Sequence, residues 1–334
     1  MKVELAFGLI SALADFVYEG GRSAIPAIVK NQVELGLVSG LSEGLGYALR
    51  GLTGVLADVT ASHFLFVLIG YSLVISYPLA AAFPSFEAFA LAVIMERIGK
   101  ALRSPAKDAL VASNASDPGK AFAIIEMMDQ LGAVLGPLTL FALSGIFGLQ
   151  RSMLAFFIPY AVMMAILVKL RNLKARPIKK EVSWKFSSLV IFSFLVGASF
   201  AQPMLSAASA PEPVLAYALV MAFDALASYP LGKFYKAALY LTPLFSISSL
   251  SLKDWRFVPW AGVAIAYVEV VLRAAIAAAG GKGRLYGAAY AALGLGYLIG
   301  GAVMPLLNEF QLLAYSLTLS TLALFFLPKD ITWT

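Results

Sequence analysis

The chain has 334 residues, of which 60% are hydrophobic and 13% charged, and its formal net charge is +6. Soluble domains carry about 25% charged residues, and this much apolar surface does not fit into one core, so we expect a protein embedded in lipid. Cysteine is absent and His63 is the only histidine, which excludes disulfides, thiol catalysis and zinc sites built from Cys and His.

The same inventory argues against an enzyme and against a primary pump. The sequence has no nucleophile–base constellation, and it has no Walker A motif and no soluble domain to hold ATP. We expect no cofactor, no bound metal and no nucleic acid. The expected partners are the lipid bilayer, a small-molecule substrate and protons, and the expected state is a monomer.

Apolar segments long enough to cross a bilayer alternate with short polar or Pro/Gly breaks. We number them as spans 1 to 12, covering residues 5–29, 35–57, 63–83, 86–113, 120–147, 152–170, 186–206, 214–234, 237–252, 257–279, 285–307 and 311–327. The first has no A-x-A cleavage site and is expected to remain. The sequence thus predicts an all-α integral membrane protein of two six-helix bundles, residues 1–170 and 186–334. A basic cytoplasmic linker at 171–185 joins them.

Lysine and arginine between the spans predict the orientation of the chain. Cytoplasmic loops carry the excess of basic residues, and the linker alone contributes six of them. With both termini in the cytoplasm, the outer side receives only Lys30, Arg151, Lys253 and Arg256. We therefore expect an even number of spans in the cell membrane, with both termini inside.

The two halves of the chain share a repeated pattern. The sequence GKAF at 119–122 matches GRLY at 283–286, and with the same offset Gly132 falls on Gly296 and Gly136 on Gly300. Two six-helix halves related in this way are typical of secondary transporters.

Charged residues inside the spans follow a pattern of their own. Well inside the spans, charged residues occur in spans 1, 2, 4, 5, 8 and 10, whereas spans 3, 6, 9 and 12 have none there. Charge inside a membrane is costly and usually faces a polar path. The pattern indicates that every third span faces lipid and that the others line or flank a central path.

Three motifs resemble those of the major facilitator superfamily. The pattern Gly54-x-Leu56-Ala57-Asp58 is similar to that family's cytoplasmic loop, and Gly132-x-x-x-Gly136-Pro137 is similar to its antiporter motif. The run from Arg97 to Asp108 and the acidic pair Asp15 and Glu19 resemble a prokaryotic drug-efflux-like branch. The resemblance implies that spans 1, 4, 7 and 10 surround a cavity and that the halves alternate access to it. After Asp58 the sequence differs from the family's pattern, because the basic residues that usually follow in that loop are missing.

Carboxylates inside the spans are candidates for proton coupling. A buried carboxylate without a full partner loads and releases protons near neutral pH. The candidates are Asp15, Glu19, Glu43, Glu126 and Asp129. The alternative is structural, because Arg22 shares a helical face with the acids of span 1 and the acids of span 5 are natural partners for the bases of span 4.

A second set of charged residues is predicted to line the substrate cavity. It comprises Arg22, Arg50, Arg97, Lys100, Arg103, Asp224, Glu269 and Arg273. For span 4 we expect one continuous helix through Pro105, with its bases on one face; the alternative is that these bases only reach the headgroups. For Glu43 and Arg50 the alternative is that they pack against span 11 as a polar patch. For Glu269 and Arg273, four residues apart, the alternative is that they neutralise each other. Gating and close packing are assigned to Gly54, Asp58, Gly132, Gly136 and Pro137.

The charge balance bears on the substrate. Spans 1, 2, 4 and 5 hold nearly equal numbers of acids and bases, which argues against a site for a small anion or a metal cation. The wall expected from the second half of the chain is more apolar and would suit an amphipathic or hydrophobic substrate. The expected function is secondary active transport by alternating access, as proton-coupled efflux (antiport). The alternatives are an uptake symporter or facilitator of a small polar solute or ion on the same fold and, more distantly, a membrane-embedded enzyme or scramblase.

Overall fold

The computed structural model describes residues 2–116, 118–175, 188–278 and 283–327, and in these ranges every regular element is a helix. The α-helices are α1 (Val3–Ile28), α2 (Gln32–Thr60), α3 (His63–Ser72), α4 (Ser76–Ala82), α5 (Phe86–Asn114), α6 (Pro118–Phe147), α7 (Leu149–Leu154), α8 (Phe157–Val168), α9 (Ser188–Ser199), α10 (Pro203–Ala207), α11 (Pro213–Lys233), α12 (Tyr235–Tyr240), α13 (Thr242–Ser246), α14 (Val258–Ala266), α15 (Arg273–Ala278), α16 (Gly283–Val303) and α17 (Glu309–Leu324). Short 3₁₀ turns join several of them, and a π-helical segment, Tyr267–Leu272, separates α14 from α15.

Span 4 forms a single helix, as predicted. Helix α5 runs through Pro105 and ends at Asn114. The amide of Ala115 donates to the carbonyl of Val111, and the Asn114 side chain donates to the carbonyl of Leu110 at 2.8 Å, so the last turn of the helix has hydrogen-bond partners.

Spans 3, 6, 7, 9 and 10 are each divided between two α-helices rather than formed by one. Span 7 is divided into α9 and α10, with Phe200 to Gln202 outside both helices and Pro203 opening the second. Proline has no N–H to donate, so it is tolerated in the first turn of a helix and marks the point at which a new helix begins. Pro243 opens α13 in the same way.

Seven segments in the described ranges are long and apolar enough to cross a membrane. They are His63–Ala82, Lys120–Phe147, Leu149–Val168, Ser188–Ala207, Pro213–Lys233, Trp255–Ile276 and Ala288–Leu306. The helices α1, α2 and α5, with 26, 29 and 29 residues, are also long enough to cross but carry more charge.

The contacts within the chain divide it into two compact units. The first contains Met1–Ile28 and Leu52–Lys180, and the second contains Val29–Gly51 and Glu181–Thr334. The predicted bundles have different limits, because this grouping puts the first part of α2 with the second unit. Residues 176–185 of the predicted linker lie outside the described residues, as do residues 279–282 between spans 10 and 11.

Helix α1 packs closely on α6 in the first unit, and glycines allow the approach. A Cβ at Gly132 would overlap the carbonyl of Ala12, and a Cβ at Gly136 would overlap the carbonyl of Phe16. Small residues at four-residue spacing let helix backbones meet in this way in membranes. The predicted packing role of these glycines therefore has a specific partner helix.

The second unit repeats this arrangement between α9 and α16. A Cβ at Gly296 would overlap the carbonyl of Phe194, and a Cβ at Gly300 would lie 2.9 Å from the carbonyl oxygen of Ala198. The offset that relates Gly132 to Gly296 in the sequence thus relates two equivalent helix contacts in space.

Helix α16 also packs on the first part of α2. Gly36, Gly40 and Gly44 of α2 face the backbone of α16, where Gly301 and Gly294 are in direct contact. A Cβ on Gly44 would lie 3.1 Å from the carbonyl oxygen of Gly294. This close backbone packing is the physical reason that residues 29–51 group with the second unit.

Candidate functional site

A buried tyrosine on α1 is surrounded by three cations from α5. The Cζ of Arg97, the Nζ of Lys100 and the Cζ of Arg103 lie 5.9, 5.2 and 5.4 Å from the centroid of the Tyr18 ring. Steps of three residues place these side chains on one face of α5, and cations within about 6 Å of a ring centroid are attracted to its π face. We call Asp15, Tyr18, Glu96 and the three bases the Tyr18 cluster.

Glu96 is the acid that compensates two of these bases. It is fully buried, and its two carboxylate oxygens lie 2.9 Å from Nη2 of Arg103 and 3.3 Å from Nη1 of Arg97. Arg103 also donates to the carbonyl of Gly70 at 3.3 Å. One guanidinium therefore connects α5 to itself and to α3 through charge-assisted hydrogen bonds.

Lys100, Tyr18 and Asp15 form a continuous hydrogen-bond chain. The Nζ of Lys100 donates to the Tyr18 hydroxyl at 3.0 Å, and this hydroxyl donates to Oδ2 of Asp15 at 2.7 Å. Asp15 is 7% exposed. A hydroxyl both donates and accepts, so a proton bound or released at Asp15 changes what Tyr18 can donate to and how Lys100 is held.

A second polar branch continues from the Tyr18 cluster along α1. Lys107 of α5 donates to the Ser11 hydroxyl at 3.1 Å, and Ser11 lies 3.3 Å from the hydroxyl of Tyr71. Asp129 of α6 interacts electrostatically with both Lys107 and Asp15. The structure thus brings a span 5 acid to the bases of span 4, as expected from the sequence.

Glu19 and Arg22 form an ion pair within α1. Nη1 of Arg22 lies 3.7 Å from Oε1 of Glu19, and both side chains are buried. For Glu19, the structure therefore contains the ion pair with Arg22 that was the structural alternative to proton coupling. Asp15, in contrast, belongs to the Tyr18 cluster.

Two acids of the predicted network lie at the surface of the first unit. Asp108 and Glu126 are both exposed, in contrast to the half-buried Asp129. The balance of acids and bases counted from the sequence therefore changes for the buried part of this unit. Five bases remain, Arg22, Arg97, Lys100, Arg103 and Lys107, with four acids, Asp15, Glu19, Glu96 and Asp129.

The residues around Asp58 differ from the pattern that the motif suggested. Oδ1 of Asp58 lies 3.0 Å from Nε2 of His63, the first residue of α3. The His63 imidazole thus lies next to the Asp58 carboxylate, although the loop between them lacks the basic residues of the family motif. Nearby, Gly54 faces Pro105, and Thr53 donates to the carbonyl of Ala101 at 2.6 Å, so α2 and α5 are closely packed here.

The predicted residues of the second unit gather around three tyrosines. The rings of Tyr47 and Tyr290 stack with centroids 5.4 Å apart, and those of Tyr47 and Tyr297 with centroids 6.1 Å apart. The Cζ of Arg50 lies 4.6 Å from the Tyr47 centroid and 5.9 Å from that of Tyr290. Arg50 therefore packs on α16, the helix of span 11.

The remaining acids of the second unit lie close to these rings. Glu43 and Glu269 interact electrostatically with Tyr47 and Tyr297, and Asp224 interacts with Tyr297. Asp224 is 3% exposed and accepts a hydrogen bond from Ser228 at 3.4 Å, so it has a polar neighbour that the sequence analysis did not identify. Glu269 lies in the π-helical segment, and Arg273 is exposed.

Sequence reasoning missed the tyrosines and serine that organise the first unit. Tyr18 follows Asp15 by three residues, so their shared helical face was a signal for it. Ser11, four residues before Asp15, shares that face too, whereas Tyr71 had no such signal, because it meets Ser11 only through the packing of α3 on α1. Within the ranges that the structure describes, no group of three or more His, Cys, Asp or Glu residues is placed to hold a metal ion.

Comparisons with known proteins give relatives without an assigned activity and solved transporters with the same fold. No family model matches the chain. It is 29% identical to uncharacterized proteins of Mycobacterium bovis and Mycobacterium tuberculosis, over 92% of this chain and 86% of each relative.

Solved transporter structures superpose on almost the whole chain. A tetrameric structure of PepTSo2 matches with a TM-score of 0.72 at 13% identity, covering 96% of this chain and 95% of that one. The peptide transporter POT in complex with sulfate gives 0.71 at 14%, covering 97% and 92%. The nucleoside transporter NupG gives 0.67 at 14%, covering 98% and 97%. At this identity the likeness shows the fold alone, and it agrees with the fold that the resemblance of the motifs to the major facilitator superfamily implied.

Proposed function

We propose that the chain is a secondary active transporter that moves a small molecule across the cell membrane by alternating access. The single observation that supports this most is the match of its whole length to solved peptide and nucleoside transporters. The buried charges of the first unit agree with it, because charge inside a membrane is costly and marks substrate or proton paths. The proposal includes twelve spans, both termini in the cytoplasm and a monomeric state.

We further propose proton coupling through Asp15, with efflux by antiport. Burial penalises the charged carboxylate, and the hydrogen-bond chain from Lys100 through Tyr18 links the protonation of Asp15 to a cation on another helix. When Asp15 binds a proton, Lys100 of α5 loses the negative charge that attracts it toward α1 through the Tyr18 hydroxyl. A proton on α1 thus changes the attraction between α1 and α5, and this change is the coupling step.

Proteoliposomes test the proposal. A substrate is first found by a thermal-shift screen of sugars, organic anions and lipophilic cations, because a true ligand stabilises the protein by mass action. The purified chain is then reconstituted with a pH-sensitive dye inside the vesicles. Antiport predicts that substrate entering the vesicles drives protons out, whereas a symporter would move both in the same direction and a facilitator would move no protons.

Asp15→Asn separates coupling from folding. The variant keeps the shape of the side chain but cannot carry a proton, so we expect proton movement to be abolished while the melting temperature stays near that of the wild type. Glu309→Gln, at an exposed acid that begins α17, is the matched control and should leave coupling intact. Full proton-coupled exchange by Asp15→Asn would contradict the assignment.

A further inference from the structure

Span 7 is interrupted at a place where the chain is buried. Helix α9 ends at Ser199 and α10 begins at Pro203, and every residue from 196 to 202 is buried. Backbone that leaves a helix at membrane depth is tolerated where protein surrounds it or where it lines a cavity. We call residues 197–202 the span 7 break.

The span 7 break leaves the last carbonyls of α9 without the donors that a continuing helix would supply. The amide of Ala201 would donate to Gly197 in a continuous helix, but it lies 3.4 Å from the hydroxyl oxygen of Ser248 instead. Pro203 has no N–H, so the carbonyl of Ser199 loses its donor as well. Among the described residues, no backbone amide donates to the carbonyls of residues 197–199.

Gln202 adds a side-chain oxygen to these carbonyls. The residue is 1% exposed, and its Nε2 donates to the carbonyl of Tyr297 on α16 at 2.6 Å. Its Oε1 is buried as well, and no described residue donates a hydrogen bond to it. Buried polar atoms nearly always have a partner, so this oxygen requires a donor or a cation from outside the described chain.

Two glycines of α16 bring these oxygens to neighbouring positions on that helix. A Cβ at Gly300 would lie 2.9 Å from the carbonyl oxygen of Ala198 and 3.3 Å from that of Gly197. Both oxygens therefore face the same place on α16, and a side chain there would cover them. A Cβ at the next residue, Gly301, would lie 3.1 Å from Nε2 of Gln202.

The chemistry of the span 7 break favours a small cation of low charge. Carbonyl and amide oxygens accept but do not donate, which excludes an anion, and the C-terminal end of a helix carries a partial negative charge. None of these oxygens is ionised, so a monovalent ion leaves less uncompensated charge in the buried site than a divalent one. Unwound carbonyls and the C-terminal ends of interrupted helices are groups that hold Na⁺ in membrane transporters.

We propose that the span 7 break binds a sodium ion. Its ligands are Oε1 of Gln202 and the backbone carbonyls of residues 197–199. The lack of cysteine and the single histidine exclude thiolate and imidazole sites, but they do not exclude a site built from neutral oxygens. This inference goes beyond the proposed transport function and does not rest on it, because ion binding is measured without transport.

Binding of radioactive sodium to the purified full chain in detergent tests the inference. Unlabelled NaCl should displace the bound ion, whereas choline chloride at the same ionic strength should not, because choline is too large for a buried site. No displaceable sodium, or equal displacement by the two salts, would overturn the inference.

The melting temperature provides a second measurement that needs no substitution. Replacing choline chloride by NaCl at constant ionic strength should raise the melting temperature of the wild type, because a ligand of the folded state stabilises it by mass action. An unchanged melting temperature over the concentrations that saturate sodium binding would contradict a site in the folded chain.

Two variants place the ion at the span 7 break. Gln202→Leu removes the side-chain oxygen and should weaken sodium binding by about tenfold or more, as losses around a metal ion commonly do. Gly300→Ala keeps Gln202 but covers the carbonyls of Gly197 and Ala198, so it should weaken binding as well. Gln150→Leu is the matched control, because Gln150 of the first unit also donates its amide to a backbone carbonyl, that of Ala81 at 3.0 Å.

The effect of sodium on the melting temperature separates loss of the site from loss of stability. A variant that is only less stable melts at a lower temperature, but NaCl still raises that temperature as much as it does in the wild type. A variant that lacks the site loses this difference between NaCl and choline chloride. The full sodium effect in both Gln202→Leu and Gly300→Ala, or equal sodium affinity in these variants and Gln150→Leu, would overturn the assignment.

Discussion

At the scale of single residues, the Tyr18 cluster depends on the planar geometry of arginine. Arg103 bonds the Glu96 carboxylate and the Gly70 carbonyl, and its guanidinium also lies 5.1 Å from the centroid of the Tyr71 ring. A guanidinium presents five donors in a fixed fork and stacks on aromatic faces, which an ammonium group does not do as well. The cluster therefore uses one side chain to orient α5 against both α1 and α3.

Glu96→Gln tests how much the cluster depends on its fully buried acid. The change leaves Arg97 and Arg103 buried beside a neutral amide, and breaking a buried ion pair from one side costs about 3–5 kcal/mol. We expect a clear fall in the melting temperature of the purified protein. Glu212→Gln removes an exposed acid just before α11 and should change the free energy of unfolding by less than about 0.5 kcal/mol. Equal melting temperatures for the two variants would show that Glu96 does not compensate these bases.

Most charged residues of the Tyr18 cluster were predictable from the sequence, but the tyrosine at its centre was not. Asp15, Arg97, Lys100 and Arg103 were candidates because charge inside a membrane span is unusual. Tyr18 was not, because aromatic residues are common in membrane helices and most of them only pack. Its role depends on three cations from another helix, and no local pattern in α1 encodes which face of α5 it meets.

At the scale of helices, glycine spacing was the most informative pattern in the sequence. The offset between Gly132 and Gly296 predicted a repeat, and the structure shows the same backbone contact at both places, with Ala12 in one unit and Phe194 in the other. The interruptions of the helices were less predictable. Pro203 was visible in span 7, but a proline within a membrane helix either kinks or ends it, because neighbouring helices can satisfy the freed groups. The packing around it decides between the two.

Two alanine substitutions in α6 separate close packing from helix propensity. A Cβ at Gly132 meets the Ala12 carbonyl, whereas a Cβ at Gly145 meets nothing within 4 Å. We expect Gly132→Ala to lower the free energy of unfolding by about 1–3 kcal/mol through overpacking. Gly145→Ala should be neutral or stabilising by up to about 1 kcal/mol, because alanine favours helix over glycine. Thermal unfolding in detergent measures both, and the packing argument fails if Gly132→Ala is as stable as Gly145→Ala.

At the scale of the whole molecule, charge and hydropathy carry different information. Seven described segments combine sufficient length, high hydropathy and few charges, whereas α1, α2 and α5 are long helices that carry more charged residues. Helices α1 and α5 supply the Tyr18 cluster, and α2 supplies Tyr47 and Arg50. A search for apolar segments alone therefore misses the helices that carry the candidate chemistry.

Cysteine labelling tests the proposed orientation directly, because the natural chain has no cysteine. Lys30, Lys120, Lys233 and Lys253 are all exposed, so the reactivity of a cysteine at each place depends on the side of the membrane. The excess of basic residues inside predicts that Lys30→Cys and Lys253→Cys react with an impermeant maleimide on intact cells. Lys120→Cys and Lys233→Cys should react only after permeabilisation.

The pair Lys233→Cys and Lys253→Cys examines the weakest part of this topology. The segment between them contains α12, α13 and the 3₁₀ turn Ile247–Leu252, with an apolar stretch of only 11 residues from Thr242 to Leu252. About 20 helical residues are usual for crossing 30 Å of hydrocarbon, so the whole segment from Tyr235 is needed to cross. If it crosses, the two cysteines label from opposite sides. Labelling from the same side would remove span 9 from the count and place the end of the chain outside, against the distribution of its basic residues.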